Sequence, residues 1–81
     1  MEWVVVERAF PEPLSDDEMR RMHDESKCVD LYRVTSIRSY LMPDRKRLVC
    51  VFQAPDAEAV RSFLRVNRSE GIVWPCTLHT P

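Results

Sequence analysis

Two β-prone segments joined by a short polar turn constrain this chain more than any other stretch. They are Ser36-Ile37-Arg38-Ser39-Tyr40-Leu41 and Arg47-Leu48-Val49-Cys50-Val51-Phe52-Gln53, with Met42-Pro43-Asp44-Arg45-Lys46 between them. Pro and Asp are turn formers, so the span reads as a β-hairpin. Pairing Leu41 with Arg47 sets Tyr40 opposite Leu48, then Ser39 opposite Val49, Arg38 opposite Cys50, Ile37 opposite Val51 and Ser36 opposite Phe52. Side chains alternate along a strand, so these pairs sort onto two faces. Ile37, Ser39, Val49 and Val51 make a small, β-branched face suited to packing beneath helices. Ser36, Arg38, Tyr40, Leu48, Cys50 and Phe52 make the other. Its guanidinium, phenol, thiol and phenyl ring suit a pocket or interface wall better than a core. A slip of one residue in register would change which side chains meet.

The flanking elements follow from local signals. Glu2 to Phe10 is a strand, because Trp3-Val4-Val5-Val6 is continuous and β-prone, and Pro11 and Pro13 end it. Ser15-Asp16-Asp17-Glu18 is a capping box that starts a helix predicted from Asp16 to about Asp30. Met19, Met22, Ser26 and Val29 form its inward stripe. Leu31 to Arg33 connects to the hairpin. Asp56 caps a second helix running to about Arg68, with Ala57, Val60, Phe63 and Leu64 facing inward and Gly71 as the turn residue after it. A last strand runs from Ile72 to about His79. Pro75 within it cannot donate a ladder hydrogen bond, which makes it an edge strand.

The order β-α-β-β-α-β predicts one α+β domain over residues 1–81, with the ferredoxin-like arrangement. Four antiparallel strands would run in the spatial order 4-1-3-2, with both helices on one face. That order puts the fourth strand at an edge, in agreement with Pro75. The other face is left open and carries Tyr40, Leu48 and Phe52, an apolar patch of the kind that marks an interface or groove. A homodimer closing sheet against sheet covers it and encloses a cavity.

Composition removes several function classes. A net charge of −1 gives no general attraction to nucleic acid or anionic lipid. No apolar run is long enough to span a membrane. Met1 to Val6 is too short for a secretory signal, and Glu7-Arg8 ends it. Cys28, Cys50 and Cys76 are odd in number with no Cys-x-x-Cys pair, which argues against structural zinc and for reduced thiols in a cytoplasmic protein. The basic Arg45-Lys46-Arg47 beside an aromatic strand invites an RNA-recognition reading. The third strand lacks the glycine and most of the aromatic residues which that module needs, so the cluster reads as a solubilising turn tip.

Val5-Val6-Glu7-Arg8-Ala9-Phe10-Pro11, Ser39-Tyr40-Leu41, Cys50-Val51-Phe52-Gln53-Ala54-Pro55 and Glu58-Ala59-Val60-Arg61 carry a likeness. With the length and element order, the chain resembles the short, mostly uncharacterised bacterial proteins grouped with a nickel-binding ferredoxin-like protein. That resemblance implies a ferredoxin-like fold, a dimer and a divalent metal near the dimer interface. Members of that family often have Trp where Ser36 stands, His where Arg38 stands and an acid near Trp74. Arg stays protonated and cannot ligate a metal, so this chain departs from the pattern at a position where the resemblance implies an imidazole.

The candidate ligand-binding residues are Glu7, Arg38, Tyr40 and Cys50. Glu7 would either pair with Lys46, Arg47 or Arg38, or serve as an acid, base or ligand on the open face. Arg38 would form an interface salt bridge or anchor a carboxylate by bidentate hydrogen bonds. Cys50 in mid-strand is either a small apolar filler or a pocket thiol. A nucleophilic role would need an adjacent base, and neither His23 nor His79 is placed to supply one. Two function classes remain. One is a dimeric binding protein holding a small ligand or divalent metal of the nickel type. The other is a cofactor-free dimeric α/β-barrel enzyme, an oxygenase or isomerase acting on a small aromatic or lactone substrate through Glu7, Arg38 and Tyr40.

Overall fold

The computed structural model describes residues 1–24 and 29–81. Seven elements follow one another: β1 (Glu2–Ala9), α1 (Asp16–Asp24), α2 (Val29–Tyr32), β2 (Thr35–Leu41), β3 (Arg47–Ala54), α3 (Ala57–Val66) and β4 (Ile72–Cys76). The strands form one antiparallel sheet in the order β2-β3-β1-β4. That is the expected 4-1-3-2 arrangement seen from its other edge. The predicted helix from Asp16 to Asp30 is present as Asp16–Asp24 and the start of α2, and its Ser26 position lies outside the described residues. Leu31 and Tyr32, expected in a connection, belong to α2. The last strand ends at Cys76 rather than His79.

Local chemistry explains the boundaries. The Glu18 amide donates to Ser15 Oγ at 3.1 Å, and the Ser15 hydroxyl donates to Glu18 Oε1 at 3.2 Å, so the capping pair starts α1. Asp56 caps α3 by accepting from the Ala59 amide at 2.8 Å. That helix ends at Asn67, whose amide and side chain both donate to the Phe63 carbonyl. Arg68 then takes a left-handed conformation, φ 54°, so the turn after α3 rests on Arg68 and not on Gly71. Gly71 serves a different need, a close approach of the chain to Val6 and Arg8 on β1. Pro75 lies opposite Val4 on β4, which pairs with β1 alone, as an edge strand requires.

The hairpin differs from expectation in register. Leu41 pairs with Leu48, Tyr40 with Val49, Ser39 with Cys50 and Arg38 with Val51. A bulge between Ser36 and Arg38 then absorbs one residue, and Ser36 meets Phe52 as predicted. Which face lies under the helices is the larger correction. Leu48, Cys50 and Phe52 are 3%, 8% and 7% exposed and form the core with Val4, Val6, Val60, Phe63 and Leu64. Val49 and Val51 point to the opposite, half-open face. The reason is volume: filling the space beneath the helices takes Leu and Phe, and two valines would leave voids. Leu14, from the proline-rich loop, and Val34, ahead of β2, close the ends of this core.

Candidate functional site

Alternation and pairing define the open face row by row. One row reads Tyr40, Val49, Glu7, Ile72 across β2, β3, β1 and β4. The next reads Arg38, Val51, Val5, Trp74, and a third reads Thr35, Gln53, Trp3, Cys76. Three of the four sequence candidates, Glu7, Arg38 and Tyr40, therefore share this face. Cys50 does not: it pairs with Val6 beneath the helices, on the far side of the sheet. Leu48 and Phe52, expected on the open face, are with it. The apolar character of the open face survives this exchange, because Trp3, Val5, Val49, Val51, Ile72 and Trp74 replace them. Tyr40 and Trp74 are each 51% exposed and Ile72 is 58% exposed, a concentration of large apolar surface that single chains rarely leave in water.

The polar groups on this face stand apart within one chain. Tyr40 and Glu7 are separated by Val49, and with strands about 4.8 Å apart their backbones are roughly 10 Å from each other. Arg38 sits one row away on β2, with Val51 and Val49 between it and β1. The ion pairs among the described residues are Arg20 with Asp17, Arg45 with Asp16, and Arg61 and Arg65 with Glu58. None lies on the open face, so the expected pairing of Glu7 with Lys46, Arg47 or Arg38 is not made within the chain. Glu7, Arg38 and Arg47, the last opposite Ala9 on the same face, thus project without an ion-pair partner among the described residues from a mainly apolar sheet. Among the described residues no three His, Cys, Asp or Glu side chains come together as a metal-binding group.

The helix side holds a different constellation. A cleft of about 1540 Å³ opens between α1, α3 and the sheet, and Arg8, His23 and Cys50 are among its lining residues. Arg8 is half-buried there. Burial lowers its guanidinium from the ordinary value, and the nearby Cys50 sulfur opposes that shift. Sequence reasoning missed Arg8. The signal is there, since Val4, Val6 and Arg8 alternate onto one face of β1, but the continuous apolar run Trp3-Val4-Val5-Val6 gives no polar alternation that would mark one face from the other. Sequence reasoning also missed Arg45. Its Nη2 donates to Asp16 Oδ1 at 2.7 Å and its Nε donates to the Leu14 carbonyl, which ties the hairpin turn to the start of α1.

Against known proteins, a family model described as nickel responsive protein SCO4226-like matches residues 5–74. The crystal structure of SCO4226 from Streptomyces coelicolor A3(2) superposes with a TM-score of 0.84 at 15% identity, over 96% of this chain and 99% of that one. At that identity the likeness speaks for the fold. No curated protein matches the chain in sequence.

Proposed function

The chain belongs to the SCO4226-like family of nickel responsive proteins, and on that premise we propose that it is a non-enzymatic binding protein, a homodimer closed through its open sheet faces with a small ligand held between them. The observation that carries this reading is the open face itself: large apolar side chains stand around one carboxylate, Glu7, and two guanidiniums, Arg38 and Arg47. In an isologous interface each patch meets its own copy. A face with charges of both signs then lets Arg38 of each copy approach Glu7 of the other. Where it is not so paired, Arg38 offers the planar fork that fits a carboxylate ligand, and Tyr40 offers a hydroxyl.

Nickel, which the family's description names, fits the described residues poorly. Arg38 brings a fixed positive charge to the face. Glu7 and Tyr40 offer oxygen, whereas imidazole is among the donors that suit nickel. A divalent metal would need donors from both copies, Glu7 first among them, and it stands as the second reading on the strength of the family alone. An enzyme of the dimeric α/β-barrel type would need Glu7, Arg38 and Tyr40 to converge in one cavity. Val49 and Val51 separate them, which favours binding over catalysis.

Native mass spectrometry of untagged protein tests the proposal. The expected species is twice the 9.6 kDa chain mass with a retained small molecule that is lost in Arg38→Met. A species of single-chain mass across the concentration range would contradict it. Calorimetric heat with nickel that disappears in Glu7→Gln would move the assignment to the metal.

A further inference from the structure

The helix side of the sheet holds a second site that does not depend on the open face. No residue of α1 is fully buried, and the cleft of about 1540 Å³ runs beneath it. Leu48 and Phe52, 3% and 7% exposed, edge the cleft on its sheet side, with half-buried Met22 on one wall and Phe63 on the other. Methionine walls adapt readily to the shape of an occupant. Beside these apolar side chains β1 brings one cation, Arg8. Its Nε donates to the Glu70 carbonyl at 3.0 Å and its Nη1 to Met22 Sδ at 3.4 Å, while the guanidinium lies 4.9 Å from the Phe10 ring centre. A carbonyl and a thioether are neutral acceptors, and the guanidinium has five N–H donors. No carboxylate among the described residues forms an ion pair with it. The other charged side chains of the lining, Arg33, Arg68, Asp24 and Asp30, are exposed. Arg8 is the charge that lies within.

A half-buried cation without an anion is costly, and an anion supplied by a ligand relieves that cost. A single guanidinium matches a single carboxylate, and the Leu48 and Phe52 side of the cleft matches a hydrocarbon tail. We propose that this cleft binds an apolar monocarboxylate, an alkyl or arylalkyl acid whose tail lies over Leu48 and Phe52 and whose carboxylate is taken by Arg8.

Titration calorimetry with decanoate and with decanol tests this, alongside the methyl NMR signals of the methionines. Decanoate binds more tightly than decanol, and it shifts the Met22 methyl while leaving Met42, in the hairpin turn, unmoved. Arg8→Met weakens decanoate by about tenfold or more, the usual loss for one charged hydrogen-bond partner, and leaves decanol within about twofold. Arg38→Met, on the other face, leaves decanoate binding unchanged. Equal affinity for decanoate and decanol, an unmoved Met22 methyl, equal losses in the two variants or no decanoate binding would each overturn the proposal. Should Arg8→Met fail to fold, the decanoate–decanol comparison and the Met22 shift on the natural chain still decide it. Loss of decanoate binding in Arg38→Met alone would place the acid on the open face.

Discussion

A Cβ added to Gly71 would sit 2.7 Å from Val6 Cγ1, 3.0 Å from Arg8 Cγ and 3.1 Å from the Glu7 carbonyl oxygen. The lone glycine of the chain is thus selected for close approach, where β4 comes up against β1, and not for a left-handed turn. Val6 is fully buried and cannot step aside. Gly71→Ala should therefore destabilise the fold by about 1–3 kcal/mol, the usual cost of overpacking, read as a lower urea midpoint at unchanged slope. Glu58 gives a prediction in pH. Its carboxyl lies below the ordinary value of 4.5, first because Arg65 donates to it at 2.9 Å and then because Arg61 is near. A depressed carboxyl stabilises the folded state above the unfolded value, and that contribution is lost as pH falls through the folded value. The melting-temperature gap between the natural chain and Glu58→Gln should be widest near neutrality and should close on acidification below 4.5.

The hairpin turn is more than a charged tip. Phe10 donates to the Lys46 carbonyl and Leu14 to the Arg45 carbonyl, each at 2.8 Å, and the Arg45 side chain returns to Leu14 and Asp16. These contacts fix the proline-rich loop and thereby the start of α1. Arg45 does this with φ at 61°, a conformation that costs a non-glycine residue about 1–2 kcal/mol. Arg45→Ala keeps that strain and loses the clamp, for about 1–2 kcal/mol. Arg45→Gly loses the clamp but relieves the strain, so it should be the more stable variant by about 1 kcal/mol, as chemical denaturation would show. Elements of this kind mark the limit of what the sequence discloses. Ser15 with Glu18, Asp56 and Pro75 act locally, through groups a few residues away, and so element order and strand order could be read directly. The faces of the hairpin could not. They depend on whether the turn leaves Leu41 opposite Arg47 or Leu48, and on a bulge at Ile37 that no residue type announces. The error moved Cys50 into the wrong site, while Arg38 and Tyr40 stayed on the open face because the slip and the bulge lie on either side of them.

At the scale of the whole molecule, the two faces of one sheet have different chemistry. The helix side is a core with a cleft around Arg8. The other side presents Trp3, Val5, Val51, Ile72 and Trp74 around Glu7 and Arg38. No helix among the described residues is long and apolar enough to cross a membrane. The proposed second copy would cover the open face with matching apolar area and opposite charges. Sedimentation equilibrium of the natural chain beside Trp74→Glu tests this most directly. Trp74 is half-exposed on an edge strand, so the substitution should spare the fold of one chain, checked by its circular dichroism. The natural chain should sediment at twice the 9.6 kDa chain mass and Trp74→Glu, still folded, at the mass of one chain. A natural chain that stays at single-chain mass at millimolar concentration, or a Trp74→Glu variant that remains paired, would contradict the account.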